Sequence, residues 1–179
     1  MPFRVALHYV DPHKKHGLLY RANVWFGRSW VGRTYGLRFG STIDPLLFRA
    51  TGGRFPGRVG SIATAPLVTT GARSGQPRQV QLTYFHDGPD PILVASNGGG
   101  PNHPAWVFNL RAQPECEFGD EEFHATEITD PDEYARLYAL AEKVFPGYVD
   151  YREKTAAIGR HIPVFRLTRG QSTAPDHHA

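Results

Sequence analysis

Apolar and polar positions change period several times along this chain, and each change predicts an element. The run "SIATAPLVTT", residues 61–70, is rich in β-branched side chains and reads as a strand, with Pro66 marking an edge or a break. "RQVQLTYF", residues 78–85, alternates, with Val80, Leu82 and Tyr84 on one side. A turn centred on Asp87-Gly88 leads to the apolar run Ile92 to Ser96, giving three strands in a meander. The loop from Ser96 to Trp106 enters a helix. Asn102 is its expected cap, Pro104 sits in its first turn, Trp106, Val107 and Leu110 form its apolar stripe, and Pro114 stops it. "ECEF" and "EFHATEIT", around Gly119-Asp120, read as a second hairpin. Asp130 and Pro131 then open a helix from Asp132 to Phe145, whose Tyr134, Leu137, Tyr138, Ala141, Val144 and Phe145 recur at helical spacing. A further helix carries Tyr148 and Tyr151 and is closed by Gly159, and "IPVFRLT" is a last strand.

Consecutive hairpins exclude alternating strand-helix units. An α+β fold is expected instead, a mostly antiparallel, partly closed β-barrel over residues 59–169 with helices at its ends. Residues 1–58 hold no sustained period and read as an arm. Within it Asp44-Pro45 opens a short helix through Leu46, Leu47 and Phe48 that Gly52-Gly53 ends. Residues 170–179 are polar and read as a frayed tail.

Composition narrows the class. A chain of 179 residues, 40% hydrophobic and 21% charged, supports one globular domain with a real core. The lone Cys116 excludes an internal disulfide framework and points to a reducing compartment. No apolar run approaches the ~18 residues that span a bilayer, and no signal-peptide pattern opens the chain, so a cytoplasmic location is expected. The net charge of +3 conceals an asymmetry. Up to Arg78 twelve Lys and Arg face only Asp11 and Asp44, a balance of +10, and the remainder carries −7. The basic part calls for an anion: a polyanionic small molecule, an anionic membrane surface or nucleic acid. In residues 1–40 eight Tyr, Trp and Phe accompany Arg21, Arg28, Arg33 and Arg38, which suits an arm packed on the core, an oligomer contact or a peripheral membrane contact.

Two loops are candidates for chemistry. In "TTGARSGQPR", Gly71 and Gly75 let the backbone curl so that N–H groups converge on one anion, and Arg73 and Arg78 add charge-assisted bonds. The loop lacks P-loop spacing, and no helix follows it as a dinucleotide fingerprint requires. Taken alone, such a hairpin is more often a solvated turn. In the second loop, Gly98 to Gly100 clear side chains from a stretch that a flat ligand or phosphate could approach, ahead of a helix N-terminus. A flexible connection is the bland alternative, but two such loops in one small barrel favour a shared ligand. His8, His13 and His16 fit no metal template and read as scattered surface residues. Cys116, between Glu115 and Glu117, is a poor nucleophile. His103 and Trp106 read as structural members of the loop-helix junction. No serine-histidine-acid triad suggests itself.

The combination of "TTGARSGQPR", "VASNGGGPNHPAWVFNL", "FPGYVDY" and "IPVFRL" resembles the deazaflavin-dependent nitroreductase and F420H2-dependent quinone reductase family, over about Pro66 to Leu167. The resemblance implies an FMN-binding-like split barrel that uses coenzyme F420. It implies hydride transfer from reduced deazaflavin to an electron-poor small molecule: a quinone, a nitroaromatic or a conjugated enone. It assigns Arg73, Ser74, Gly75 and Arg78 to the cofactor's phosphate and acidic tail, which gives the basic part of the chain a rationale. It puts Ser96, Asn97, Gly98 and Gly99 beside the ring. Ser96, Tyr148 and Tyr151 become the candidate catalytic residues, the two tyrosines lining the acceptor side. Ala72-Arg73 replaces the family's usual Arg-Lys pair, and Asn97 replaces a common lysine. FMN is the runner-up cofactor. The rival readings are an FMN split-barrel enzyme, a non-catalytic deazaflavin carrier, and a scaffold whose arm binds nucleic acid or membrane.

Overall fold

The structure, a computed structural model, describes residues 7–13, 58–59 and 62–170. The helix expected after Asp44-Pro45, most of the arm and the tail beyond Gly170 lie outside the described residues. Seven strands follow in order: β1 (Arg58–Val59), β2 (Ile62–Thr70), β3 (Pro77–Asp87), β4 (Asp90–Val94), β5 (Glu115–Phe118), β6 (Glu121–Glu127) and β7 (Val164–Arg169). Helices α1 (Ala105–Ala112), α2 (Pro131–Val144) and α3 (Gly147–Ala156) separate them, with a short 3₁₀ turn at Asn97–Gly99.

Every pairing is antiparallel, and the strand order is β1-β2-β3-β4-β7-β6-β5. The sheet closes because β2 also pairs with β5, Leu67 opposite Phe118 and Thr69 opposite Cys116. Six strands, β2 to β7, therefore form a barrel, and β1 extends the start of β2. Pro66 lies where the β5 pairing runs out, and its carbonyl accepts the Gly119 N–H at 3.0 Å. A residue without an N–H sits at little cost where a ladder ends.

Strand alternation sorts the side chains into two cores. Leu67, Tyr84, Leu93, Phe118, Phe123, Phe165 and Leu167 fill the barrel, and Trp106, Val107 and Leu110 of α1 plug it. The intervening residues of the same strands, Phe85, Ile92, Val94 and Val164, face outward beneath α2 and α3, against Leu137, Tyr138, Ala141 and Tyr148. Strands β3, β4 and β7 are thus buried on both faces, which is why "ILVAS" reads as a continuous apolar run. Helix α2 begins as its sequence predicts: the Asp130 carboxylate accepts the Glu133 N–H at 2.8 Å, and Pro131 occupies the first turn.

Two local expectations are corrected. Asn102 is not the cap of α1; the helix starts after Pro104, without a side-chain cap. The Asn102 carbonyl instead accepts a hydrogen bond from Asn97 Nδ2 at 2.9 Å. The β3–β4 turn is centred one residue later than expected, because Asp87 is the last residue of β3. Its carboxylate is held by Arg136 and Arg166, each at 2.8 Å.

Residues 7–13 dock on β3. The Tyr84 hydroxyl donates to the His8 carbonyl at 2.9 Å. The His86 N–H donates to the Val10 carbonyl at 2.9 Å, and the Val10 N–H returns to His86 Nδ1 at 3.1 Å. Leu7 and Val10 pack against the barrel core.

Candidate functional site

The first glycine-arginine loop joins β2 to β3 and is folded by its own backbone. Gly75 donates to the Gly71 carbonyl and Gly71 to the Gln76 carbonyl, both at 2.8 Å. A Cβ on Gly71 would stand 2.7 Å from Ser74 Oγ and 3.1 Å from the Gln76 carbonyl, so the turn closes this tightly only around glycine. Asn109 of α1 then ties the loop to the barrel. Its Oδ1 accepts the Ala72 N–H at 3.0 Å, and its Nδ2 donates to Thr69 Oγ1 at 2.9 Å. Both Asn109 and Thr69 are buried.

Between this loop and the first turns of α1 lies an open cleft of 740 Å³. Arg73, Ser74, Arg78 and Val80 form one wall, and Trp106, Phe108 and Asn109 another. Phe108 is half exposed there, although hydrophobic side chains of its size are mostly buried elsewhere in the fold. From Gly71 to Gly170 the other arginines are committed. Arg111, Arg136, Arg152, Arg166 and Arg169 each pair with a carboxylate. Arg160 is bound to backbone carbonyls. The guanidinium groups of Arg73 and Arg78 alone in that span have no hydrogen-bond or ion-pair partner among the described residues, and both residues line the cleft. Two unneutralised guanidinium groups beside an apolar ring surface suit an anionic ligand with a flat portion.

The second loop is built differently. Asn97, Gly98 and Gly99 all have positive φ, at 50, 62 and 75°. A Cβ on Gly99 would lie 3.3 Å from the Tyr151 Cα and 3.2 Å from Lys154, so this stretch packs its backbone directly on α3. Asn97 and Gly98 are exposed, and Ser96 is buried beneath them. Arg160, just beyond α3, donates to the carbonyls of Ala95 at 2.7 Å and of Ser96 and Gly100 at 2.9 Å. Burial lowers its pKa from the usual arginine range.

Among the described residues, the first loop lines this cleft, whereas residues 96–99 of the second loop and the two tyrosines are not part of its wall. The α1 segment bridges them, with Asn102 and His103 joined to the second loop and Asn109 to the first. Tyr148 departs from the substrate-lining position the resemblance implies. It is buried, its hydroxyl pairs with Thr83 Oγ1 at 2.9 Å, and burial pushes its pKa up to about 12. Tyr151 is half-buried, its ring edge-on to Tyr148 with centroids 6.1 Å apart. His103 and Trp106 are junction residues, the first accepting from Arg160 Nε at 3.4 Å and the second packed on Phe165. Burial, ahead of the Glu115 charge, pushes the Cys116 thiol up to about 12, which keeps it protonated and inert.

Sequence reasoning named neither Asn109 nor Arg160 as part of the site. Asn109 had a readable signal, a lone amide inside the buried stripe of Trp106, Val107 and Leu110. Arg160 had none, since its partners are main-chain atoms about sixty residues away.

Comparison with known proteins gives the family. An F420H2-dependent quinone reductase of Mycobacterium tuberculosis is 38% identical over 148 residues, covering 78% of this chain and 96% of that protein. The solved F420H2-dependent reductase FDR-A superimposes with a TM-score of 0.51 at 35% identity, covering 59% of this chain and 93% of its own. A second solved structure, described as a domain-swapped dimer, gives a TM-score of 0.53 at 31% identity and covers 70% and 98%. The family model of the F420H2-dependent quinone reductases matches residues 43–169, and the chain belongs to that family.

Proposed function

We propose that this protein is an F420H2-dependent reductase that delivers hydride to a quinone-class acceptor, with the cofactor's phosphate and acidic tail held by Arg73, Ser74 and Arg78. The observation that carries the reading is the pair of arginines without a partner among the described residues, facing a cleft with an apolar wall. Gly75 keeps the turn open to the same anion. Ser96, Asn97, Gly98 and Gly99 form the surface for the ring.

Reduced deazaflavin, when bound, supplies the hydride. The chain supplies position, shelter from water and a proton. Ser96 and Tyr151 are the candidate proton donors. Tyr148, committed to Thr83, serves to fix the position of Tyr151 through their ring contact. Nitroaromatics and conjugated enones are further acceptors compatible with a hydride donor of this kind. A cytoplasmic location fits the reading. The basic aromatic arm is the proposed surface for a peripheral contact with anionic membrane, which co-sedimentation with vesicles before and after deletion of residues 1–40 would test.

The test is a fluorescence titration with F420, with FMN in parallel, at two salt concentrations. Arg78→Ala is expected to weaken F420 binding about tenfold and to flatten its salt dependence, because one charge-assisted contact to the anion is lost. Unchanged affinity in Arg78→Ala overturns the assignment of the anion loop, and a preference for FMN overturns the cofactor.

A further inference from the structure

Arg160 is a cation with an unusual set of partners. Its guanidinium donates to three main-chain carbonyls, those of Ala95, Ser96 and Gly100, and its Nε reaches His103 Nδ1. No carboxylate neutralises it among the described residues. The three carbonyls bracket the segment where Asn97, Gly98 and Gly99 run consecutively in the left-handed region. Glycine and asparagine are the residues that adopt it most readily, and Asn97 carries a φ of 50°, but three in succession make an unusual backbone path. The turn's own bonds are few: Gly99 donates to Ser96 and Gly100 to Asn97, both at 3.0 Å. Nη1 alone bonds both ends of the turn, at Ser96 and Gly100, while Nη2 takes Ala95 and Nε takes His103, a set of four partners that the three donors of a lysine ammonium could not fill.

The bond to Ser96 has a second effect. A trans peptide directs its N–H opposite to its C=O, so a Ser96 carbonyl turned onto Arg160 aims the Asn97 N–H away from the guanidinium. Asn97 is exposed. A positive charge on the carbonyl end polarises the peptide and strengthens its N–H as a donor.

We infer that Arg160 is a positioning residue for the reductase site, holding the Ser96–Gly100 turn in its left-handed form so that the Asn97 N–H is presented, polarised, to an electronegative atom of the deazaflavin ring or of the acceptor. The inference rests on the proposed placement of the ring along this turn. It divides recognition between two loops: Arg73 and Arg78 take the anionic tail, and Arg160, acting through the main chain, governs the ring.

Binding and amide exchange test it together. The probes are F420 and the 8-hydroxy-5-deazaflavin ring system without its phosphate tail, titrated by fluorescence against wild type, Arg160→Met, Arg160→Lys and Arg78→Ala. Arg160→Met is expected to lose about tenfold in affinity for the phosphate-free ring while the salt dependence of F420 binding is retained. Arg78→Ala is expected to do the reverse. Arg160→Lys restores the charge without the fork and should recover only part of the loss. Amide exchange should quicken at Gly99 and Gly100 in Arg160→Met, with the α1 amides still protected. Equal ring affinity in wild type and Arg160→Met, or unchanged exchange at Gly99 and Gly100, overturns the inference. Failure of wild type to bind either probe overturns the proposed function and the ligand half of this inference, and amide exchange still decides whether Arg160 clamps the turn.

Discussion

Asn109→Leu isolates the link between barrel and anion loop. Leucine keeps the branched heavy-atom skeleton of asparagine, with methyl groups in place of the amide, so the change removes two hydrogen bonds and opens no cavity. One is the 3.0 Å bond from the Ala72 N–H, and the other is the 2.9 Å bond to Thr69 Oγ1. Each is worth about 1 kcal/mol net. Ala72 is exposed and its N–H can turn to water, whereas the Thr69 hydroxyl is buried and keeps only a long 3.5 Å contact to the Arg78 carbonyl. The expected loss is therefore about 2 kcal/mol, or roughly 4–8 °C in Tm. The loop, untied at Ala72, must then be ordered by its ligand. A cost of about 1 kcal/mol there weakens F420 binding about fivefold. Urea unfolding gives the first number and a fluorescence titration the second. Thr69→Val, alone and combined with Asn109→Leu, should show a coupling of about 1 kcal/mol. Stability falling with no change in Kd would refute the idea that Asn109 preorganises the anion loop, and unchanged stability would refute the hydrogen-bond assignment itself.

Three further outcomes follow from the packing. His86 is buried with Nδ1 accepting the Val10 N–H, and burial, reinforced by the Arg169 charge, lowers its pKa from about 6.5. Protonation then favours the unfolded state, so stability is full above about pH 6.5 and declines as the pH falls below it; His86→Leu should remove that part of the slope in urea titrations run between pH 7 and 5. Gly99→Ala places a Cβ 3.3 Å from the Tyr151 backbone at a φ of 75° and should cost about 1–2 kcal/mol, read as Tm, with a matching loss of ring affinity. Arg166→Met removes a partner from Asp90 and Glu133 and leaves Asp87 on Arg136 alone, their carboxylates lying 2.7–3.3 Å from Arg166, and should destabilise by about 2 kcal/mol at neutral pH. Asp87 is held well below the usual carboxylate range by Arg136 and Arg166, so its share of stability is present above about pH 4 and fades as the pH falls further, which an acid titration of wild type and variant would show.

Much of this protein was legible in its residues because the signals are local. Alternation in "RQVQLTYF" and the helical spacing of α2 each follow from the geometry of a single element, and Asp130-Pro131 carries its capping chemistry within four residues. The glycines of both loops, the two arginines of the first and the +10 balance up to Arg78 pointed to an anionic ligand from the sequence alone. What depended on distant partners was not legible. Asn102 has the side chain of a cap, but the turn at 97–99 claims its carbonyl, and the helix starts after Pro104 without one. Tyr148 belongs to the same motif as Tyr151, yet its register on α3 turns it toward Thr83 and the core.

The sequence by itself determined the elements, their antiparallel hairpins and two glycine-rich loops suited to a ligand, because periodicity, capping and glycine placement act within a few residues. Only the tertiary structure decided that β2 meets β5 to close the barrel, that Asn109 and Arg160 set the two loops, and which arginines remain without a partner among the described residues. Those depend on main-chain atoms brought together across roughly forty to sixty-five positions of sequence, and a hydrogen bond to a carbonyl leaves no mark on the identity of the residue that offers it.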